Sequence, residues 1–459
     1  MMDTRDPQVR IEHLADPDSV ELITPRDSSG MLAATASVAG NRVVIFASDA
    51  TIQGGALGVE GAHVINTAYR AAMASQLPII GIWHSGGARL RDGVSSLSAF
   101  GEVFQSMIMA SGKIPQLSLV LGPTAGGGAY GPALTDVVVL APEGRIFVTG
   151  PDVVKSITGE KVDIATLGGP DAHRKNSGVA HVIAHSEDEA FRKIRDLTSL
   201  FANQGHIKTD LVELDLALLV PDVTQRTYEV HPLVNAVLDK DSESLEMLPM
   251  WAESMVTSIG RLGGRTVGVV ANNPQHLGGA LDSAAAEKAA RFVRTCDAFG
   301  IPLIVIADVP GFLPGAGQEW EGAVRRGAKL LHAFGEAVVP RITLITRRAY
   351  GGAYVAMNSK SLGATKVFAW PTAEVSVMGA VAAVRVLHRR LLADIPADQR
   401  DAMELELAAE HDKVSGGVQR AIEIGAVDEI IQPTSTRSAL ARAIAAAPQR
   451  RGNHGNIPL

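Results

Sequence analysis

Short runs of β-branched and aliphatic residues recur along the chain and alternate with longer stretches of helical periodicity. Arg42–Ala47, Ile79–Trp83 and Leu117–Leu121 are apolar runs of strand length. Helices are predicted between them, over Gly58–Ala74 and Ser96–Ala110. Continuous apolar strands that alternate with helices are typical of a largely parallel sheet covered on both faces. The pattern therefore predicts an α/β fold.

The same order of elements returns in the second half of the chain. Strands are predicted over Thr266–Ala271, Leu303–Ile306 and Ile342–Thr346, with a helix over Val324–Ala333. Ser283 is predicted to cap a further helix, because its hydroxyl can accept a hydrogen bond from the first turn. After the strand that begins at Leu303, a stiff proline- and glycine-rich loop is expected from residue 308 to residue 315.

Three motifs recur at an offset of 224 residues, which indicates an internal duplication. The pairs are Gly54-Gly55-Ala56-Leu57 with Gly278-Gly279-Ala280-Leu281, Pro78 with Pro302, and Gly128-Ala129-Tyr130 with Gly352-Ala353-Tyr354. A repeat of nearly half the chain predicts two homologous domains rather than an array of short repeats.

The boundary between the two domains is predicted where the pattern breaks. The stretch Pro221–His231 is rich in Asp, Pro and Thr, so we expect domains over residues 1–225 and 226–459. The tail from Pro448 onward is polar and is expected to lie over the surface.

Two glycine-rich stretches stand where a strand passes into a helix. They are Ala125–Pro132 and Arg347–Met357. Glycine lets the backbone approach a ligand closely, and the first amides of a helix can face a developing negative charge. A tight turn would explain one such stretch. Two of them favour a pair of anion-stabilising turns, which serve two ligands or two half-sites.

Composition narrows the class of protein. The chain has 459 residues, 46% of them hydrophobic, and a net charge of −7, which is ordinary for a globular protein and does not favour nucleic acid as a partner. The single cysteine excludes an internal disulfide, and no metal is predicted from the 13 histidines. A polar N-terminus and the lack of any membrane-spanning apolar run lead us to expect a soluble cytoplasmic protein.

Side-chain motifs of the common enzyme classes do not appear. We find no HExxH, no Walker A lysine and no Gly-x-Ser-x-Gly. His84 and Ser85 are adjacent at a strand end and should point to opposite faces, which argues against a catalytic dyad. The glycine runs fit a dinucleotide site poorly. Backbone amides remain, and they suit chemistry that passes through an enolate without a protein nucleophile.

Distinctive motifs occur in both halves of the chain. They are Ser85–Arg89, Gly126–Tyr130 with Pro132–Asp136, Gly264–Pro274, Asp308–Phe312, Ala349–Tyr354 and Ala369–Glu374. These motifs resemble those of the carboxyltransferase (β) subunit of biotin-dependent acyl-CoA carboxylases. The resemblance covers nearly the whole chain and implies two homologous crotonase-like domains with a ββα spiral, in agreement with the duplication.

The resemblance implies how the two glycine turns are used. Gly126 and Gly127 match positions whose amides hold the thioester oxygen of an acyl-CoA, against the N-terminal domain. Gly352 and Ala353 match those that hold the ureido oxygen of biotin, against the C-terminal domain. Carboxybiotin releases CO2, the biotin anion removes the α-proton, and the enolate attacks CO2. The two centres meet at a dimer interface.

The resemblance also implies a wider set of binding residues. Arg89 and Arg91 could meet CoA phosphates or be solvated, and Phe312 could wall the biotin slot or pack in the core. The substrate-binding candidates are Ser85, Gly86, Gly87, Ala88, Arg89, Gly128, Tyr130 and Val355. The biotin-binding candidates are Pro310, Gly311, Phe312, Tyr350, Gly351 and Tyr354.

Val355 bears on the choice of acyl group. Related propionyl-type carboxylases often carry Asp at this position of the acyl pocket, so the apolar Val355 favours acetyl-CoA, with propionyl-CoA close behind. Alternatives to a carboxylase are a decarboxylase-type subunit acting on malonyl- or methylmalonyl-CoA, a non-catalytic scaffold that binds CoA thioesters, and a nucleotide-binding domain.

The resemblance implies partners. No Met-Lys-Met biotinylation tripeptide occurs, so no cofactor is expected to be covalently bound here. The chain is expected to use carboxybiotin carried on a biotinylated α subunit, which contains the biotin carboxylase and the biotin carrier. It is expected to form a homo-oligomer, commonly a hexamer.

Overall fold

The computed structural model describes residues 3–221, 223, 226–415 and 417–458 and divides the chain into two compact units. The first unit contains the chain up to Gln204, Glu243–Trp251 and the end from Gly452. The second unit contains Gly205–Ser242 and Ala252–Arg451. The predicted boundary residue Gln225 lies outside the described residues, so the limits 1–225 and 226–459 stay a prediction.

The first unit is built from nine strands and eight α-helices in its described residues. Its strands are β1 (Glu21–Leu22), β2 (Met31–Val38), β3 (Asn41–Ser48), β4 (Ile79–Ser85), β5 (Gln116–Ala125), β6 (Val137–Leu140), β7 (Arg145–Phe147), β8 (Val182–Ile183) and β9 (Leu245–Met247). Its helices are α1 (Pro7–Leu14), α2 (Val59–Ser75), α3 (Val94–Ala110), α4 (Gly127–Ala133), α5 (Pro151–Thr158), α6 (Ile164–Gly168), α7 (Pro170–Ala172) and α8 (Glu187–Ala202).

The second unit repeats this succession of elements. Its strands are β10 (Met255–Leu262), β11 (Arg265–Asn272), β12 (Leu303–Val309), β13 (Arg341–Tyr350), β14 (Lys366–Ala369), β15 (Glu374–Ser376) and β16 (Glu429–Ile430). Its helices are α9 (His231–Val237), α10 (Ser283–Phe299), α11 (Ala316–Trp320), α12 (Ala323–Glu336), α13 (Gly351–Ala356), α14 (Ala380–Leu387), α15 (Arg389–Ala393), α16 (Ala397–Ser415), α17 (Gly417–Glu423) and α18 (Thr436–Ala446).

Apart from the edge strand β1, the strands of the two units have the same topology. In the first unit the strand order is β1-β2-β3-β4-β5-β6-β8, with β7 beside β5; in the second it is β10-β11-β12-β13-β14-β16, with β15 beside β13. The strands pair in parallel except for the antiparallel ladders at the starts of the sheets, which include β2–β3 and β10–β11. The predicted α/β fold and its duplication are confirmed.

Strand register repeats the duplication residue by residue. Val44 pairs with Ile79 in the first unit, and Gly268 pairs with Leu303 in the second, each 224 positions later. On β5 and β13 the offset becomes 225, because Ile79 pairs with Gln116 and Leu303 with Arg341. Gly126 and Gly351, also 225 apart, both have a positive φ, of 58° and 59°. The match of Gly128–Tyr130 with Gly352–Tyr354 at 224 is therefore one residue out of structural register.

Tertiary pairing moves several predicted boundaries. Strands β5 and β13 continue to Ala125 and Tyr350, beyond the predicted ends at Leu121 and Thr346, because their ends pair with β7 and β15. The loop predicted from residue 308 begins later, because residues 308 and 309 complete strand β12.

Two further expectations are corrected by side-chain hydrogen bonds. Helix α10 is capped by Asp282, whose carboxylate accepts from the amide of Ala285, and Ser283 is its first helical residue. The C-terminal tail does not simply lie over the surface: the fully buried Asn456 donates to Asp136 Oδ1 at 2.6 Å.

Each unit has its own apolar core between sheet and helices. In the first, Trp83 packs edge-on against Phe46 and donates to Ser118 Oγ at 2.9 Å, so its indole N–H is satisfied. In the second, Cys296 is buried on α10, and burial raises the pKa of its thiol, so it packs as an apolar side chain. No helix in the described residues is both long and apolar enough to cross a membrane.

Candidate functional site

The glycine turn of the first unit joins β5 to α4. Gly126 lies between them with φ 58° and ψ −131°, a conformation that favours glycine. Its amide donates to the carbonyl of Phe147 at 3.1 Å. The amides of Gly127 and Gly128 come next, at the start of the helix, where no intrahelical acceptor exists. Of the predicted donor pair, Gly126 therefore has its N–H engaged and shapes the turn, while the role of Gly127 stays a prediction.

The loop after β4 lies against this turn. A Cβ on Gly87 would lie 3.2 Å from the carbonyl oxygen of Ala125, and one on Gly128 would lie 3.2 Å from Ser85 Oγ. Ser85 is buried, and its Oγ accepts from the amide of Gly87 at 3.3 Å. The amide of Gly86 donates to Gly54. The structure therefore brings this loop and the glycine turn together, as predicted for one site.

The remaining substrate-binding candidates of the first unit differ in how firmly they are held. Ala88 forms a parallel bridge with Leu57. Arg89, with 11% of its side chain exposed, donates from Nη2 to the carbonyl of Ser29 at 2.8 Å, so it is fixed by the main chain. Arg91 is exposed. Tyr130 is half exposed at the end of the turn.

The glycine turn of the second unit joins β13 to α13. Gly351 repeats the left-handed conformation of Gly126, and a Cβ there would lie 2.9 Å from the carbonyl oxygen of Val377. A Cβ on Gly352 would meet nothing within 4 Å, so this backbone is open to a ligand. Ala353 is buried, whereas Val355 on the same short helix is 41% exposed.

The predicted biotin-binding residues lie in this turn and in the loop after β12. The Tyr350 hydroxyl donates to Glu374. Tyr354 is buried, which raises the pKa of its hydroxyl, and that hydroxyl has no hydrogen-bond partner among the described residues. On the loop after Pro310, the carbonyl of Gly311 accepts from Leu281 at 3.0 Å.

Phe312 has a packing role in the structure. Its ring lies 3.3 Å from where a Cβ of Gly327 would stand, on helix α12. It also bridges in parallel to Leu281, as Ala88 does to Leu57. These contacts agree with the alternative in which Phe312 packs in the core, for at least one edge of its ring.

Sequence reasoning missed the buried polar groups behind the turns. In the second unit, Asp308 pairs with Arg347 and Arg348 at 2.8 and 2.9 Å. In the first unit, Arg10 Nη2 lies 3.5 Å from His84 Nδ1. Burial first, and then the nearby cations, lower the pKa of His84 to about 4, so its ring is neutral near pH 7. The adjacent arginines 347 and 348 at a strand end were the available signal.

The described part of the chain contains no evident metal site. No group of three or more His, Cys, Asp and Glu side chains there is placed to hold an ion. The turns instead present main-chain amides, which can stabilise an oxyanion without any change of protonation.

A duplicated sheet with a glycine turn at the start of a short helix in each half defines a two-domain protein of the crotonase-like class. The model of the carboxyl transferase domain family matches residues 14–456, and the chain belongs to this family.

Relatives and a solved structure resemble the chain over almost its full length. It is 59% identical over 462 residues to the biotin-dependent acetyl-/propionyl-coenzyme A carboxylase β6 subunit of Mycobacterium tuberculosis, covering 100% of this chain and 98% of the relative. It is 54% identical to the propionyl-CoA carboxylase β chain of Rhodococcus erythropolis, with coverage of 100% and 97%.

The solved structure is that of transcarboxylase 12S, described as a hexamer with methylmalonyl-coenzyme A bound. It matches with a TM-score of 0.92 and 36% identity, covering 99% of this chain and 92% of that one. The carboxyltransferase assignment made from sequence motifs is confirmed.

Proposed function

We propose that this chain moves a carboxyl group from carboxybiotin to the α-carbon of a short acyl-CoA, with acetyl-CoA favoured and propionyl-CoA accepted. The observation that carries the proposal is the pair of glycine turns, each of which ends a strand and opens a helix whose first amides have no intrahelical acceptor. Family membership and the names of the relatives support the same chemistry.

The first unit is proposed to hold the thioester. Amides of Gly127 and Gly128 face the thioester oxygen, Gly126 sets the turn, and Ser85–Arg89 forms the adjoining wall. As the α-proton leaves, negative charge grows on that oxygen, and preorganised donors stabilise it at no cost in reorganisation. No acid–base side chain is required of the protein.

The second unit is proposed to hold biotin at the amides of Gly352 and Ala353, with Pro310, Gly311, Phe312, Tyr350, Gly351 and Tyr354 around it. The N–C bond of carboxybiotin breaks and releases CO2, and the ureido nitrogen keeps the electron pair. That nitrogen takes the α-proton, and the enolate carbon then forms a bond to CO2. Positioning and charge stabilisation are the contributions of the protein.

This proposed mechanism requires partner proteins. The biotin is carried on a separate biotinylated α subunit, which recharges it with ATP and bicarbonate. Copies of the chain are proposed to assemble, with the active site completed at a dimer interface, and the hexameric transcarboxylase 12S supports a hexamer. The cytoplasmic location remains a prediction.

Reconstitution with a biotinylated α subunit tests the proposal. With ATP and labelled bicarbonate, acetyl-CoA and propionyl-CoA should become labelled at the α-carbon. A parallel reaction that starts from malonyl-CoA without ATP separates the decarboxylase alternative. Absence of label in every short acyl-CoA, with a donor shown to be carboxylated, would contradict the proposed function.

Substitution at Val355 tests the acyl preference. Val355→Asp should shift the ratio of kcat/KM from acetyl-CoA toward propionyl-CoA by about 10-fold or more, because one methylene in a pocket is worth about 1–3 kcal/mol. Val386→Asp is the matched control, since Val386 is an exposed valine of the same unit. An unchanged ratio in Val355→Asp would remove Val355 from the acyl pocket.

A further inference from the structure

Strands β12 and β13 lose register just before the second glycine turn. Ala307 pairs with Ile345, but Val309 pairs with Ala349. A single residue of β12, Asp308, therefore faces three residues of β13, from 346 to 348. A bulge of this kind bends the strand that carries it and redirects the residues beyond it. The direction of the glycine turn thus depends on the shape of this bulge.

An ion triad holds the bulge in shape. Asp308 is 1% exposed, and its Oδ2 accepts from Arg347 Nε at 2.8 Å. Its Oδ1 accepts from Arg348 Nε at 2.9 Å and from the Arg348 amide at 3.4 Å. Successive residues of a regular strand point to opposite faces, so one carboxylate reaches both guanidinium groups only while the bulge persists.

The triad also ties the bulge to its surroundings. Arg348 Nη2 donates to the carbonyl of Gly278 at 2.9 Å. The amide of Asp308 donates to Asn272 Oδ1 at 3.3 Å, and Asn272 Nδ2 donates to the carbonyl of Gly279 at 3.3 Å. Arg347 Nη1 donates to the carbonyl of Arg226 at 2.8 Å. The bulge is therefore anchored to the turn Leu277–Gly279, which overlaps the first motif of the duplication.

We infer that Asp308 and Arg348 are positioning residues, which aim the amides of the Gly351–Ala353 turn by pinning the bulge of β13. The inference rests on the proposed function, in which this turn holds the ureido oxygen of biotin. The buried charges of Asp308 and Arg347, with the mostly covered Arg348, are costly to desolvate, so an apolar arrangement could give equal stability. The triad supplies a fixed geometry that an apolar arrangement would not.

Asp308→Asn is the first test, because it keeps the shape and removes the charge. We expect kcat for carboxyl transfer to fall by about 100-fold, the usual loss for a displacement of about 1 Å. The Kd of acyl-CoA, measured by calorimetry, should not change. Asp239→Asn is the matched control, because Asp239 also binds an arginine, Arg437, and caps the Gly263–Gly264 turn between β10 and β11. The control should lose stability and keep kcat.

Arg348→Lys provides a second variant if Asp308→Asn does not fold. It keeps the positive charge and loses the fork that joins Asp308 Oδ1 to the Gly278 carbonyl, so an intermediate loss of about tenfold is expected. Hydrogen–deuterium exchange of the segment 349–357 is the second readout and does not require activity. It should rise in both variants and not in Asp239→Asn.

Three outcomes would overturn the inference. They are an unchanged kcat in both variants, a weakened acyl-CoA Kd in place of a reduced kcat, and unchanged exchange at the turn. Wild-type protein that carboxylates no acyl-CoA would contradict the proposed function, and exchange at the turn would still decide the positioning role.

Discussion

The two units place different chemistry at the same point of the same fold. Strand β4 loses register against β5 just as β12 does against β13, since Trp83 pairs with Val120 and Ser85 with Thr124. His84 stands at the equivalent of Asp308, 224 positions earlier. Where Asp308 binds two arginines of the bulge, His84 lies against a glycine of the bulge.

The contacts of His84 show how the first unit fills this position. A Cβ on Gly122 would lie 2.3 Å from His84 Nδ1, so only glycine leaves room for the ring. The cation comes from another element, because Arg10 of helix α1 reaches His84. After the duplication, both halves kept the register shift before the glycine turn, while the side chains that support it diverged. This is the divergence expected of two halves that hold different ligands.

The largest effect is expected from removing an amide of the second turn. Gly352→Pro takes away one N–H at the second residue of α13, where a helix tolerates proline. Loss of one oxyanion donor should lower kcat by about 10²–10³-fold. Gly352→Ala keeps the amide and meets no protein atom within 4 Å, so it measures separately the effect of side-chain bulk in the open site. Equal kcat values for the two variants would exclude this amide from the mechanism.

The same experiment in the first unit makes the comparison sharper. Gly127 is the first residue of α4, a position that proline also fits. Gly127→Pro should reduce kcat to a similar degree, whereas Gly126→Ala should act through stability, because alanine rarely adopts the φ of 58° found here and the amide, already bonded to Phe147, is kept. If Gly127→Pro leaves kcat unchanged, the two turns are not equivalent in function.

A second effect concerns the bulge of the first unit. Gly122→Ala forces the His84 ring to move, and overpacking of this kind costs about 1–3 kcal/mol of unfolding free energy. His84→Ala removes the ring and makes room for the new methyl group. The double variant should therefore be more stable than the two single effects predict, with a coupling of about 0.5–3 kcal/mol in denaturant unfolding. Additive effects would show that His84 does not pack on Gly122.

Local signals in the sequence were sufficient for the fold and for the presence of the turns. Apolar runs placed β3, β4, β11 and β12 within a few residues, because buried parallel strands are continuously apolar. The ends of β5 and β13 were missed, because Gly122, Pro123, Arg347 and Arg348 do not resemble a strand interior. Pairing with β7 and β15 extends both strands, and no local pattern encodes that pairing.

The candidate site was predicted less completely than the fold. The turns at Gly126 and Gly351 were recognised, but which amides are engaged depends on β7, whose Phe147 carbonyl takes the Gly126 amide. The role of Asp308 was missed for a related reason. Its partners lie about 40 residues away, and a register shift brings them together.

A third effect concerns the residue just before β6 in the first unit and just before β14 in the second, whose side chain accepts from the first amide of the neighbouring strand. In the first unit, Asp136 Oδ2 accepts from the Gln116 amide at 2.8 Å, and its Oδ1 accepts from Asn456 of the tail. In the second unit, Thr365 takes the place of Asp136, and its hydroxyl accepts from the Arg341 amide at 3.0 Å. The second carboxylate oxygen of Asp136 also needs a hydrogen-bond donor, and Asn456 of the tail supplies it. Thr365 has a single hydroxyl oxygen and needs no such second donor.

Asn456→Ala should therefore lower the unfolding free energy of the wild-type chain by about 1–3 kcal/mol, because a buried carboxylate oxygen loses this donor. In an Asp136→Thr background, which copies the second unit, the same change should cost clearly less. Denaturant unfolding of the four proteins measures the difference. An equal cost in both backgrounds would mean that the bond from Asn456 to Asp136 is not the source of the loss.

A further effect is a pH dependence that only the first unit should show at this position. Burial, Arg10 and Arg5 lower the pKa of His84 from 6.5 to about 4, so between these pH values the unfolded chain binds a proton that the folded chain does not. Its contribution to the unfolding free energy is therefore complete above pH 6.5 and is lost as pH falls toward 4.

His84→Gln should flatten this part of the stability profile, measured by denaturant unfolding from pH 7.5 to pH 4.5. The comparison must be a difference between variant and wild type, because burial also lowers the pKa of His173 in the same unit. Arg10→Met should weaken the slope in part, since it removes one of the two cations and leaves the burial. A profile with the same slope in wild type and His84→Gln would show that the ring is solvated, and the bulge of the first unit would then need another support.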